Sequence, residues 1–131
     1  MTRRVIALGG AMLIAVTLLG TVPAMARGTD VIKSGACDSA TSWKLKIKAE
    51  DPAAIQAEVE IDENVVGHTW RVRLLQNGEV VAAGQRVTLA PSGSFNFNRL
   101  LTDAPGRDVI RFRAVNLATG EICKGGASLS G

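Results

Sequence analysis

The sequence predicts an all-β protein: a seven-stranded antiparallel sandwich that follows an N-terminal signal helix. Beyond Arg27, apolar and polar residues alternate with a period of two in run after run, the pattern of strands that bury one face. Turn-forming residues separate the runs at intervals of about 12 residues, and no segment in this part of the chain shows a helical period. The seven strands are predicted at 42–50, 55–62, 68–76, 79–88, 94–101, 108–116 and 121–129.

The first two predicted strands form a hairpin whose register can be read from the residues. Pro52 lies between them and breaks the pattern, because it has no backbone donor and a fixed φ. Pairing Lys46 with Glu58 also pairs Leu45 with Val59, so one register satisfies both faces, whereas a shift of one residue would bury lysines. We expect a solvated face of cross-strand ion pairs; the alternative is an anion-binding role for Lys44, Lys46 and Lys48.

The third and fourth predicted strands flank Asn77-Gly78. This dipeptide is the strongest short signal for a tight hairpin, because both residues tolerate positive φ. In the third strand the inward residues are predicted to be His68, Trp70, Val72 and Leu74.

Turn residues also delimit the last three predicted strands. The breaks are Pro91-Ser92-Gly93, Ala104-Pro105-Gly106 and Thr119-Gly120. Phe95, Phe97 and Phe112 fall on inward positions, as do Trp43 and Trp70, so the chain presents no flat aromatic platform of the kind that binds sugars.

The N-terminus is predicted to be an export signal spanning residues 1–26. Arg3 and Arg4 precede an apolar run, and Ala24-Met25-Ala26 matches the small-x-small pattern of signal cleavage. Cleavage after Ala26 gives a secreted, extracellular protein of 105 of the 131 residues, with an extension at 27–41 and the sandwich domain at 42–131. The alternative is a retained anchor, which the run is too short to favour. The general and twin-arginine export routes both remain open.

The charge balance changes when the signal is removed. The chain has 15 basic and 12 acidic residues, and loss of Arg3 and Arg4 leaves 13 against 12. A net charge of +1 does not predict a nucleic-acid partner, which calls for a concentrated basic surface.

Cys37 and Cys123 are the only cysteines in the sequence and lie near the two ends of the mature chain. In an oxidising compartment a single disulfide is the simplest expectation. It would close a loop of about 87 residues and contribute roughly 4–5 kcal/mol in the chain-entropy model. The alternative, a redox or catalytic thiol, lacks a CxxC pair or a neighbouring base.

Three local features point to a known superfamily. They are Gly67-x-x-Trp70-x-Val72-x-Leu74, the Asn77-Gly78 hairpin, and Phe112-x-Ala114 followed by Ala118-Thr119-Gly120-Glu121. With the strand spacing, the chain resembles the immunoglobulin and fibronectin type III sandwiches, in the form of a small exported domain of actinobacterial type. It departs from antibody domains in the position of its cysteines and in having no tyrosine. The resemblance implies a fold and carries no activity.

The sequence does not predict an enzyme. His68 is the only histidine, no G-x-S-x-G elbow is present, and Glu58 and Glu60 lie on an open face. We therefore expect His68 to be structural, with no catalytic residue and no cofactor.

The sequence does not predict a metal site either. Zinc needs several cysteine or histidine ligands, and the sequence offers one histidine and two cysteines that are expected to form a disulfide. Asp62-Glu63-Asn64, with Asp103 expected nearby, is the best oxygen cluster for calcium, but an ordinary polar loop is the favoured interpretation and no metal is predicted.

Two functions remain. The first is a monomeric, non-enzymatic binding or interaction module for an unknown protein or cell-surface ligand, with no membrane contact after signal cleavage. It would use loops 62–67, 89–93 and 117–120 and the strand stretch 80–83. Its candidate binding residues are Asp62, Glu63, Asn64 and Val81.

The alternative function is a small apolar-ligand carrier, similar to the secreted antibiotic-binding sandwiches of actinobacteria. Its candidate residues are Leu75, Val81 and Val115, for which packing under a loop or neighbouring strand is the simpler explanation. A protease-inhibiting loop at 89–92 is a third, weaker hypothesis.

Overall fold

A computed structural model describes residues 30–130, which form eight β-strands in two four-stranded antiparallel sheets. The predicted signal at 1–26 and its cleavage site lie outside the described residues. Within 30–130 no helix could span a membrane. The strands are β1 (Asp30–Ala36), β2 (Ser42–Glu50), β3 (Ala54–Asp62), β4 (Thr69–Gln76), β5 (Glu79–Val87), β6 (Ser94–Thr102), β7 (Asp108–Asn116) and β8 (Ile122–Leu129).

The two sheets differ in strand order. The first sheet has the order β1-β2-β3-β6 and the second has β5-β4-β7-β8. The all-β class is confirmed, and this arrangement is compatible with an immunoglobulin-like fold. Strands β5 and β6 close one side of the sandwich, and β1 and β2 approach β8 on the other side.

The predicted strand count of seven is wrong, because β1 adds an eighth strand within the segment 27–41. Strand β1 pairs along its whole length with β2, for example Ile32 with Lys46. Six of its seven residues are exposed, and only Val31 is half-buried. An edge strand that buries one side chain lacks the alternation that predicted five of the other strands, and no hairpin signal such as Asn77-Gly78 lies beside it.

The predicted register of β2 and β3 is confirmed. Lys44 lies opposite Glu60, Leu45 opposite Val59 and Lys46 opposite Glu58. The ammonium of Lys44 is 3.5 Å from the Glu60 carboxylate. Lys46 instead pairs with Asp30 of β1 at 3.5 Å, a partner that became available only with the additional strand.

The core fills the space between the sheets. Leu45, Ile47 and Val59 of the first sheet meet Trp70, Val72 and Phe112 of the second, and all six are fully or almost fully buried. All five aromatic side chains contribute, since Phe95 and Phe97 are also buried and the half-buried Trp43 packs edge-on against Phe112 with ring centroids 5.2 Å apart. The inward assignment of the aromatic residues is therefore confirmed.

The predicted disulfide is present between Cys37 and Cys123, whose Cα atoms are 4.5 Å apart. It joins the end of β1 to β8 and so links the two sheets. The Asn77-Gly78 hairpin is confirmed as well, with φ of 53° and 91° at the two residues, the positive values that this tight turn requires.

Candidate functional site

Four loops meet at one end of the sandwich, which we call the loop end: 37–41, 63–68, 88–93 and 117–121. Backbone hydrogen bonds join them to each other and to the sheets. The Glu63 amide donates to the Gly93 carbonyl at 3.0 Å, the Gly67 amide to Thr88 at 2.9 Å, and the Leu117 amide to Thr69 at 2.9 Å. The three loops predicted as a binding surface are therefore brought together, and a fourth joins them.

Gly93 is the point of closest approach between two of these loops. A Cβ atom at this position would lie 2.3 Å from the backbone nitrogen of Val65, and φ is +72°. Only glycine fits a left-handed conformation in contact with another backbone. The position thus fixes the loop 88–93 directly against the loop 63–68.

Glu63 is the centre of a buried polar network. Its side chain accepts hydrogen bonds from the Trp70 indole at 3.0 Å and from the Asn116 amide at 2.9 Å, and His68 Nδ1 lies 2.5 Å from Oε2. Trp70 and Asn116 are fully buried and Glu63 is 8% exposed. A buried carboxylate needs such donors to replace water, so Glu63 ties β4 and β7 to the loop that follows β3.

The same network fixes the tautomer of His68. Nδ1 faces a carboxylate oxygen and must carry the proton that it donates. The Asn116 amide nitrogen, 3.3 Å from Nδ1, is also a donor and so does not bond to it. The side chain is 29% exposed, and His68 is one of the residues that line a surface cavity. The bond to Glu63 is consistent with the expectation of a structural His68.

A second polar group holds the loop 37–41 against the β7–β8 turn. Thr41 donates to the two carboxylate oxygens of Glu121, from its hydroxyl at 2.6 Å and from its backbone amide at 3.3 Å. The Asp38 carboxylate accepts from the Ile122 amide at 3.2 Å. Together with the adjacent disulfide of Cys37, these bonds hold the loop 37–41 in a fixed position beside the β7–β8 turn.

These groups line a surface cavity of about 500 Å³. Three carboxylates contribute, those of Asp38, Glu63 and Glu121, and His68 is the only basic side chain among the described lining residues. Each carboxylate has lone pairs beyond the bonds already described. The cavity therefore favours a positively charged group that can also donate hydrogen bonds. The lining residues are Asp38, Ser39, Ala40, Thr41, Glu63, Val65, His68, Thr119, Gly120 and Glu121.

Aliphatic side chains are exposed around the loop end. Their exposed fractions are 45% for Val65, 53% for Val66, 62% for Leu89 and 44% for Leu117. All four belong to the three loops predicted as a binding surface. Exposed aliphatic side chains grouped beside a polar centre are a typical composition for a recognition surface.

The predicted binding residues separate in the structure. Asp62 is exposed and lines a different cavity, on the outer face of the first sheet, together with Lys44 and Glu60. Glu63 turns inward, and Asn64 is exposed at a positive φ of 65°. Val81 is 42% exposed on the edge strand β5. Three successive residues of a turn point in different directions, so Asp62-Glu63-Asn64 does not form one oxygen cluster.

The expectation that Asp103 lies near this turn is wrong. The Asp103 amide bonds to Ala53, whereas Asp62 pairs with Ser94 at the other end of β3 and β6. Antiparallel pairing of the two strands places the loops at opposite ends. Among residues 30–130 no group of three or more acidic, histidine or cysteine residues could hold a metal ion.

Asp38, Thr41, Asn116 and Glu121 are the polar residues of the site that the sequence did not indicate. Asn116 ends β7 and is fully buried. Its side-chain carbonyl accepts hydrogen bonds from the backbone amides of Ala118 and Thr119 at 2.8 and 3.2 Å, so the buried oxygen has partners. The only signal for this role is an asparagine at the start of a turn, where such side chains bond to the backbone.

No protein-family model matches the chain, and neither a curated protein nor a solved structure matches it significantly. The chemistry of the loop end is therefore the basis for a functional assignment.

Proposed function

We propose that the protein is a secreted, non-enzymatic binding module of immunoglobulin-like fold. Its loop end captures a protein or cell-surface partner, and the acidic cavity receives a positively charged group of that partner. The observation that supports this most is the convergence of three loops, 37–41, 63–68 and 117–121, around a cavity lined by three carboxylates.

The rigidity of the loop end supports a binding role. Glu63 is held by Trp70 and Asn116, and Glu121 is held by Thr41. Groups that are already oriented lose little conformational freedom when a ligand arrives, which favours binding. A Cys37–Cys123 disulfide that holds one wall of the cavity is also consistent with an extracellular location.

The surroundings of the cavity indicate the kind of partner. A lysine or arginine side chain entering the cavity would meet carboxylates and Val65, while other parts of the partner could contact exposed aliphatic side chains of the same loops, such as Val66 and Leu117. Burial of a central charged group within an apolar rim excludes water from the contact. We therefore infer a partner that presents one basic group on an apolar surface.

The apolar-ligand carrier is less well supported. Three surface cavities described in the structure all have charged side chains in their lining, and none is lined by Leu75, Val81 or Val115. Leu75 and Val115 are half-buried on the outer face of the second sheet. Between the sheets, large side chains fill the interior.

The proposal is tested by NMR titration of the exported protein with Nα-acetyl-lysine methylamide and, as a neutral probe of similar shape, Nα-acetyl-norleucine methylamide. We expect chemical-shift changes at 38–41, 63–68 and 117–121 with the lysine probe only. Glu121→Gln is expected to weaken binding about fivefold, the loss of one charge-assisted contact. The matched control Glu60→Gln, on the exposed face of β3, is expected to bind normally. Equal responses to both probes, or changes centred elsewhere, would refute the proposal.

A further inference from the structure

The outer face of the second sheet is strongly basic. Strands β4, β7 and β8 place five exposed cationic side chains there, which we call the arginine face: Arg71, Arg73, Arg111, Arg113 and Lys124. Each occupies an outward position, because the residues that alternate with them, such as Val72, Phe112 and Cys123, are buried.

The arginine face contains no acidic side chain. The outward positions of the four described strands are otherwise neutral: Thr69, Leu75, Val80, Ala83, Gln85, Val87, Val109, Val115, Ile122, Gly126 and Ser128. In addition, no arginine takes part in the ion pairs found among residues 30–130. The five positive charges are thus left without a negative partner on this face.

The outer face of the first sheet has the opposite character. Its lysines alternate with acids across the strands, and Lys44, Lys46 and Lys48 each lie within 4.0 Å of a carboxylate. The strands of the first sheet carry five basic and five acidic residues, whereas those of the second carry six basic residues against Glu79 and Asp108. The small net charge of the mature chain therefore conceals a segregation of charge between the two faces.

The arrangement of the arginine face is unfavourable for the isolated domain. Arg73 lies directly opposite Arg113, and Arg113 lies directly opposite Lys124. Like charges in directly opposed cross-strand positions repel each other and destabilise a sheet. An anionic ligand placed over this row would turn the repulsion into attraction.

We propose that the arginine face binds a linear acidic polysaccharide through its sulfate or carboxylate groups. Arg73, Arg113 and Lys124 form a row across three adjacent strands, spaced by about 4.8 Å per strand. Arg71 and Arg111 flank this row along the strands. Four of the five cations are arginine, and a planar guanidinium forms paired hydrogen bonds with sulfate and carboxylate groups.

The surface of the arginine face favours this polymer over other polyanions. Single-stranded nucleic acids are bound by stacking bases on aromatic side chains, and the five aromatic residues pack in or against the core instead. Membrane interfaces are usually anchored by exposed tryptophan or tyrosine beside the charges, and the arginine face has neither. An acidic polysaccharide has neither bases that stack on aromatic rings nor lipid tails that need an apolar anchor. Cationic side chains on a flat sheet are therefore sufficient to bind it.

The experiment measures binding of the exported protein to fluorescently labelled heparin and polygalacturonate over a range of salt concentrations. Dextran is the neutral control, and single-stranded DNA and phosphatidylglycerol vesicles are the other polyanions compared. We expect binding to heparin, polygalacturonate or both, none to dextran, and a steep loss of affinity with added salt. The variant R73Q/R113Q is expected to bind at least about tenfold more weakly. The matched control K44Q/K46Q removes the same charge from the first sheet and is expected to change affinity less than twofold.

Three outcomes would overturn the proposal. The first is no binding to either polysaccharide. The second is an equal loss of affinity in both double variants, which would show attraction to net charge alone. The third is tighter binding to single-stranded DNA or to phosphatidylglycerol vesicles than to both polysaccharides. Weaker binding by R73Q/R113Q would not be due to unfolding, because removal of the opposed arginines is expected to leave the melting temperature unchanged or higher. The loop-end variant Glu121→Gln is expected to bind heparin normally, so this proposal and the loop-end function fail or succeed separately.

Discussion

Replacing Glu63 with alanine should strongly destabilise the domain. The change removes the acceptor for the Trp70 indole and the Asn116 amide, both on fully buried residues. A buried donor left without a partner costs about 1–3 kcal/mol, so two of them cost about 2–6 kcal/mol. His68 is 29% exposed and can turn to water instead. Against a typical domain stability of about 5–15 kcal/mol, this is a large fraction.

The assay is equilibrium unfolding in urea of the disulfide-bonded protein, followed by circular dichroism. Glu60→Ala is the matched control, since it removes the same side chain from the exposed face of β3, where its ion pair with Lys44 is worth less than about 1 kcal/mol. Glu63→Gln is expected to lie between the two, because one oxygen can still accept from Trp70 while the new amide meets the Asn116 amide, donor against donor. A loss below about 1 kcal/mol for Glu63→Ala would refute the reasoning, since it would mean that the buried donors find other partners.

Two further changes test how the loops are held. Gly93→Ala is expected to lower stability by at least about 3 kcal/mol, because its Cβ would meet the Val65 backbone at 2.3 Å. Gly78→Ala, at a similar positive φ but with no atom within 4 Å, should cost only about 1 kcal/mol; equal shifts in melting temperature would contradict the contact. Removal of the disulfide by Cys37→Ala and Cys123→Ala is expected to cost about 2–5 kcal/mol, and an unchanged urea midpoint relative to the oxidised protein would show that the bridge adds nothing to stability.

Local pattern was sufficient for most of the fold. Alternation of apolar and polar residues predicted five strands, and the turns at Asn77-Gly78 and Thr119-Gly120 predicted two more, so seven of the eight could be predicted. In β2 and β3, alternating lysines and glutamates beside apolar residues allow one register. Strand β1 was not predicted, because it buries little more than Val31 and therefore shows no alternation. Its presence also changed the partner of Lys46 from Glu58 to Asp30.

The candidate site was only partly predictable. The turn at 62–64 was singled out for its oxygen atoms, yet the direction of each side chain there depends on turn geometry that composition does not encode. Glu63 meets Asn116, 53 residues away, and Thr41 meets Glu121, 80 residues away. Such contacts arise because the order of strands in the sheets places certain turns at the same end of the sandwich. The sequence alone does not specify that order.

By itself, then, the sequence determined seven of the eight strands, the inward faces, one register and the pairing of two lone cysteines, because each depends on residues close together or on chemistry with one solution. Only the tertiary structure decided how charge is distributed. Arg73 and Arg113 belong to strands far apart in the chain, and they become neighbours because β4 pairs with β7. Electrostatic potential depends on distance in space. Residues 30–130, which contain 12 basic and 12 acidic residues, can therefore form a domain with an acidic cavity at one end and an unpaired basic face on one sheet.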